Sequence, residues 1–200
     1  MKIQKLALKN SSVSLASFYQ TLVNIIREGK VIAFPTDTVY GLLANATDKK
    51  SVERVYKIKK RPFKKYLPFF IKDMGMAKQI AKITPKKEKF LRKVWPGKVT
   101  VILKRKKGIK LYGAAPETIA LRIPNFKLLN LLLELINIPL TATSANISGN
   151  PPSCNIKEII KQFADRKIKP ALIVDAGNLP KRNPSTVVDL TKEPPEILRV

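Results

Sequence analysis

The segment FPTDTVYG, residues 34–41, places two threonine hydroxyls, a carboxylate and a phenol directly after the apolar run KVIA. TATSANISGNPPS repeats the arrangement after the apolar stretch that precedes it, and Arg122 stands inside the apolar segment LRIP. In open α/β sheets ligands bind in crevices beyond the carboxyl ends of strands, so these segments can face one cleft. A further segment, KIKKRP at 57–62, sets Lys59 and Arg61 one residue apart ahead of a proline. Basic groups at a helix C-terminus complement the helix dipole, an effect of about 0.3–1 kcal/mol. The functional reading of the same residues is a phosphate clamp. Ser144-Ala145-Asn146-Ile147-Ser148-Gly149 reads either as ordinary turn chemistry or as a set of short donors and acceptors for a ligand. Phe34 and Tyr40 read as core or cleft wall. Neither GxxxxGK[ST] nor GxGxxG occurs, so the common nucleotide-binding loops are not indicated.

The chain has no histidine and one cysteine, Cys154. That excludes Ser-His-Asp and Cys-His nucleophiles, an internal disulfide framework and a cysteine-based metal cluster. Any chemistry must lean on Lys, Arg, Ser, Thr, Asp or Glu, or on a substrate's own groups. Lysine and arginine total 39 against 14 acidic residues, a formal charge of +25. Such a field draws in anions. Only 9 of the 39 are arginine, the residue with the planar fork suited to phosphate. The excess therefore fits either nucleic-acid contact or a lysine-rich composition that acts on solubility alone.

Positioning these residues requires alternating strands and helices. Ser14 can cap a helix with Leu15, Phe18, Leu22 and Ile25 or Ile26 on its apolar face, stopping near Gly29. KVIAF reads as a short strand buried on both faces. Asp48 caps a helix carrying Val52, Val55 and Tyr56, which Pro62 ends by restricting Arg61. LPFFI is a strand that Pro68 assigns to an edge or a bend. Asp73 and Pro85 open two short helices. KVTVILK and IALRIP are strands. Asn125 caps the helix FKLLNLLLELI, apolar on nearly all sides and so well buried. PLTATS is a strand, Asn155 caps another helix, and ALIVDAG, STVVDL and EILRV close the pattern. The alternation predicts an α/β fold with a mixed sheet. Two hundred residues with 44% hydrophobic content suggest one domain, residues 1–200. The longest apolar run, Leu128 to Ile136, is interrupted by Asn130 and Glu134 and is too short for a bilayer. With no apolar leader in MKIQKLALKNSSVS, the expectation is a cytoplasmic protein with no membrane association.

Seven pieces in order resemble the YrdC-type domain of threonylcarbamoyl-adenylate synthases: KVIAFPTDTVYGLLANA, KxRP at Lys59 to Pro62, WPGKVTVIL, LRIP around Arg122, TATSANISGNPP, NPSTVVD and the closing EILR. The resemblance implies a twisted, open mixed sheet with helices packed around it and a basic concave cavity. It implies that L-threonine, bicarbonate and ATP give threonylcarbamoyl-adenylate and pyrophosphate. A separate threonylcarbamoyl transferase complex then uses the product to modify adenosine in tRNA. The resemblance gives Lys59 and Arg61 the catalytic role of holding ATP phosphates. Ser144 and Asn146 would hold phosphate or the hydration shell of Mg²⁺, which the nucleotide carries without a protein metal site. Lys65 and Arg199 would lie on the ATP side. Thr36, Thr38, Tyr40, Arg122 and Ser185 would hold threonine, with Arg122 on its carboxylate. Asp37 receives no role. Lys65 stands where many members have asparagine, LPFF replaces the usual LIVH-type strand, and Arg199-Val200 lacks the usual residues after the closing arginine. Longer members add a C-terminal domain that is not expected here. The competing reading is a module that binds double-stranded RNA or tRNA without turnover; hydrogenase-maturation chemistry normally uses a far longer, zinc-finger-containing chain.

Overall fold

A computed structural model describes residues 1–5 and 12–200, with the side chains of 1–4 and 15–200. Strand β1 (Lys2–Lys5) precedes helix α1 (Ser12–Arg27), and β2 (Ile32–Phe34) and β3 (Gly41–Leu43) follow. Next come α2 (Lys49–Lys59), β4 (Phe69–Phe70), α3 (Met74–Ile80), α4 (Pro85–Val94), β5 (Val99–Lys104) and β6 (Thr118–Arg122). The remainder is α5 (Lys127–Ile136), β7 (Leu140–Thr141), β8 (Thr143–Ser144), α6 (Ile156–Phe163), β9 (Leu172–Asp175), β10 (Thr186–Asp189) and β11 (Glu196–Arg199). The mixed α/β reading holds. The strands, however, divide between two mixed sheets, ordered β1-β9-β2-β3-β8 and β11-β10-β5-β6-β4-β7.

The division is made at Ala142. PLTATS, expected as one strand, splits there: β7 pairs with β4 in one sheet and β8 with β3 in the other. Backbone bonds fix the crossing, with Thr141 N–H on Ala44 C=O (3.0 Å) and Ala142 N–H on Pro68 C=O (2.8 Å). The buried Thr141 hydroxyl adds two more. It accepts from Ala44 N–H (3.0 Å) and donates to Leu42 C=O (2.9 Å). Strand β4 is therefore interior, between β6 and β7, and not the edge that Pro68 suggested. Pro68 stands just ahead of the two-residue strand, where its missing N–H removes no ladder bond.

The interior strands of the first sheet are buried on both faces, while its edge strand β1 is largely exposed. In β2, Ile32 and Phe34 join one apolar cluster with α1 and α5, while Ala33 joins the other. In β9, Leu172 and Val174 face as Ile32 does, and Ile173 faces as Ala33 does. That two-sided burial explains why KVIAF is continuously apolar. The second sheet alternates. Val101, Leu103, Ile119, Leu121 and Val188 enter a core, leaving Thr100, Ile102, Thr118, Ala120, Arg122 and Val187 on the opposite face. The sequence rhythm of KVTVILK and TIALR follows from it.

Helix ends hold three corrections. Helix α2 stops at Lys59 because Lys60 adopts a left-handed conformation (φ +50°), with Lys60 N–H on Lys57 C=O and Arg61 N–H on Tyr56 C=O. This Schellman closure ends the helix before Pro62 acts. Helix α5 has Phe126 at its N-cap with no side-chain cap; Asn125, the expected cap, stands one residue earlier and gives its backbone N–H to Asp37. It is also only half apolar-facing: Leu129, Leu132, Leu133 and Ile136 are buried, but Leu131 and Leu135 are exposed. Asp48, Asp73 and Asn155 cap as expected, and Pro85 opens α4 behind the cap Thr84. On α1, Leu15 is exposed whereas Phe18, Leu22 and Ile26 are buried; Ser14, the expected cap, lies inside the helix, which already begins at Ser12. Thr141→Val removes the hydroxyl that ties β7 to β3 and strands the Leu42 and Ala44 groups. Urea unfolding should register a loss of about 1–3 kcal/mol; an unchanged midpoint would deny the seam its role.

Candidate functional site

Between β2 and β3 the chain leaves the sheet for six residues and returns antiparallel, Phe34 pairing with Gly41. Thr36 folds this connection on itself. Its Oγ1 donates to Val39 C=O (2.7 Å) and accepts from Thr38 N–H (3.1 Å). Thr36, Asp37 and Thr38 are all buried. Asp37 Oδ1 accepts from Arg122 Nη2 at 2.6 Å, and Oδ2 accepts from Asn125 N–H at 3.0 Å. Tyr40 is fully buried; its hydroxyl donates to Gly177 C=O (2.6 Å) and accepts from Ala176 N–H (3.1 Å). Burial pushes that phenol up to about 12, so it stays protonated and acts as a tie to the strand end of β9.

Arg122 ends β6 on the side of the sheet away from the core. Its Nε donates to Gly97 C=O (2.8 Å), its Nη1 reaches Thr38 Oγ1 (3.4 Å), and its guanidinium carbon lies 5.6 Å from the Phe70 ring centre. Burial, and more weakly Arg199, works against its charge; Asp37 works for it. Gly97 owes its identity to close approach. A Cβ there would meet Val94 C=O at 2.4 Å, so the WPGK turn accepts no side chain while presenting its carbonyl to Arg122.

Thr36, Thr38, Tyr40, Arg61, Arg122, Ser144, Ser185 and Arg199 surround a single cavity of ≈ 460 Å³, with Thr100, Ile102, Ala120 and Val187 as its floor. Eight of the expected site residues thus meet in one place. Three do not. Lys59 is buried at 2% exposure, and its ammonium donates to Ser144 C=O (2.5 Å), Asn146 C=O (3.0 Å) and Asn146 Oδ1 (2.9 Å). Asn146 is consumed within its own turn, its Nδ2 donating to Ile147 and Asn150 carbonyls and its Oδ1 also accepting from Ser144 Oγ. Both stand behind Ser144 and outside the cavity wall. Lys65 contributes its carbonyl, which accepts from Arg61 Nε and from the Tyr56 hydroxyl, and its side chain is exposed. The left-handed Lys60 explains the divergence of Lys59 and Arg61: the first is turned into the 144–146 turn and the second into the cavity.

Arg199 and Ser185, expected at different ends of the site, are bonded to each other. Arg199 Nη2 donates to Ser185 C=O (2.6 Å), and Ser185 Oγ lies 2.8 Å from Thr100 Oγ1. Sequence reasoning missed Asp37, Gly97, Thr100 and Tyr66, the last lining the cavity and accepting from Arg61 Nη2 at its carbonyl (3.0 Å). Thr100 was available from the alternation of KVTVILK; the other three depend on long-range placement. A second, more open hollow of ≈ 870 Å³ lies between the end of α2 and α6, lined by Lys57, Lys60, Lys161, Arg166 and Lys167 with Glu158 and Asp165. It holds none of the buried polar groups just described. Among the described residues no group of three or more His, Cys, Asp or Glu side chains could hold a metal ion, and no helix is long and apolar enough to cross a membrane.

The fold is shared with known proteins. The Sua5/YciO/YrdC family model, described as telomere recombination, matches residues 24–200, and the chain belongs to that family. It is 38% identical over 176 residues to a threonylcarbamoyl-AMP synthase of Pyrococcus abyssi, an alignment covering 87% of this chain and 51% of that protein. The crystal structure of Pyrococcus abyssi Sua5 complexed with L-threonine superposes with a TM-score of 0.86 at 33% identity, covering 100% of this chain and 57% of that one. Escherichia coli YciO superposes with a TM-score of 0.84 at 27% identity, covering 100% and 95%. The chain thus spans little more than half the length of the archaeal relative.

Burial, with a smaller push from Arg61, draws Lys59 down to about 7. Between that value and the ordinary lysine range the unfolded chain keeps a proton that the folded chain releases. Stability therefore rises with pH through this window, by at most about 1.4 kcal/mol per unit. Lys59→Met lacks the term. In urea titrations from pH 7 to 9, wild type should gain stability relative to this variant; parallel curves would contradict the burial of a titrating Lys59.

Proposed function

We propose that the chain joins L-threonine, bicarbonate and ATP into threonylcarbamoyl-adenylate and pyrophosphate. The observation that carries the reading is one cavity with a buried arginine among threonine hydroxyls, Arg61 and Ser144 in its walls. Its volume falls within the usual range for small-molecule sites. The likeness to a Sua5 structure solved with L-threonine supports the amino-acid part, and the relative named as a threonylcarbamoyl-AMP synthase supports the reaction.

Arg122 takes the threonine carboxylate. A guanidinium has five donors; one each on Nε, Nη1 and Nη2 is engaged with Gly97, Thr38 and Asp37. One hydrogen on each Nη is left, which suits a two-point grip on a carboxylate. Thr38 meets the amino acid, with Thr36 folding the turn beneath it. The amine attacks the carbon of bicarbonate, and loss of water leaves a carbamate. A carbamate oxygen then attacks the α-phosphorus in line, and the bond to the bridging oxygen of pyrophosphate breaks. Such transfer depends on positioning and on neutralising developing charge, which Arg61 supplies from the wall and Arg199 supports. Lys59 acts through the turn it holds, fixing Ser144 against the phosphates. Mg²⁺ would ride on the nucleotide. Ser144 lines the cavity, and a neutral hydroxyl fits the water shell of a phosphate-bound ion better than direct ligation.

The product, a mixed anhydride, needs a transferase to pass its acyl group to tRNA, and that complex is the partner proposed, in the cytoplasm. Direct tRNA contact is consistent with the +25 charge, yet the buried threonine hydroxyls are sized for a small ligand. Pyrophosphate release should require threonine, bicarbonate and ATP together. Arg61→Ala should lower turnover about 100-fold with its melting temperature preserved. Release without threonine, or a fully active Arg61→Ala enzyme, would contradict the reading.

A further inference from the structure

We propose that Asp37 is a positioning residue whose carboxylate orients Arg122 for the amino-acid carboxylate. The inference rests on the reading of Arg122 given above. Asp37 does not line the cavity, although Thr36 and Thr38 on either side of it do. Both of its carboxylate oxygens are spent away from the cavity, one on Arg122 and one on Asn125 N–H. Its backbone is held as well: Arg182 Nη1 donates to Asp37 C=O at 2.9 Å. Asp37 is therefore fixed at its side chain and its backbone, and Arg122 is fixed through it.

The arrangement is informative because simple electrostatics argues the other way. A buried anion 2.6 Å from Arg122 weakens the pull of that arginine on a second carboxylate. If charge alone governed affinity, neutralising Asp37 would tighten threonine binding. If orientation governs, the same change loosens it, because the guanidinium no longer presents its two free hydrogens at a fixed angle. Asp37→Asn separates the two by sign.

The test measures KM for threonine and for ATP, together with kcat, in Asp37→Asn, Arg122→Lys and the double variant. Nitrogen-15 spectra of the Arg122 guanidinium are recorded alongside. Asp37→Asn should raise the threonine KM about tenfold or more, leave the ATP KM within about twofold, and change kcat little at saturating threonine. Its Arg122 resonances should show faster guanidinium rotation. The double variant should be no worse than the worse single one, since both changes act on one grip. Arg182→Met, a change at an exposed side chain, should give a smaller rise of about threefold, confined to threonine. This variant keeps the test open should Asp37→Asn fold poorly. An unchanged or lowered threonine KM overturns the inference, as does an equal loss for both substrates with a fallen melting temperature. Mobile Arg122 signals in a protein whose wild type shows no threonine dependence would support the positioning role while refuting the proposed reaction.

Discussion

Asp37 and Arg122 form an ion pair at 2.6 Å with both side chains only 3% exposed. Burying two charges is costly, and removing one partner of such a pair costs about 3–5 kcal/mol. The pair persists because every neighbour completes it. Gly97 C=O and Thr38 Oγ1 take donors from Arg122, Asn125 N–H occupies the second Asp37 oxygen, and the Phe70 ring faces the guanidinium. These partners come from the β2–β3 connection, the WPGK turn, the segment after β6, and β4. The ion pair is thus the point at which four separate stretches of sequence agree on one geometry.

A second tie of the same kind organises the opposite wall. In its charged form Lys59 offers three donors, and three oxygens of Ser144 and Asn146 accept them. Ser148 N–H returns to Lys59 C=O at 2.7 Å, so the end of α2 and the turn after β8 are bonded to each other in both directions. The two ties differ in what they leave free. Arg122 lines the cavity and has guanidinium hydrogens that the protein does not use, whereas the three contacts of Lys59 are all within the protein.

Much of the fold was legible because burial leaves a local mark on the sequence. Two-sided burial of β2 wrote a continuous apolar run, one-sided burial of β5 and β6 wrote alternation, and Asp48, Asp73 and Asn155 announced their helices. The division into two sheets was not legible, since Ala142 looks like any strand residue and only its bond to Pro68 C=O places it between sheets. The site divides in the same way. Residue types along FPTDTVYG, LRIP and TATSAN pointed to a cleft, and eight of the expected residues line it. Which polar groups face the cavity and which stand behind it was set by long-range pairing. Asp37 looked idle because its partner lies 85 positions away. Spacing alone could not place Lys59 outside the cavity lining, because it cannot reveal a left-handed Lys60.

The proposed function rests on the cavity that Arg122 lines, and a structure with L-threonine and a non-hydrolysable ATP analogue bound tests it most directly. The threonine carboxylate should lie about 2.7–3.0 Å from both Nη atoms of Arg122, with Asp37 still paired behind it and the α-phosphate between Ser144 and Arg61. Threonine bound away from Arg122, or Arg122 turned out of its pair with Asp37 to reach the nucleotide, would contradict it.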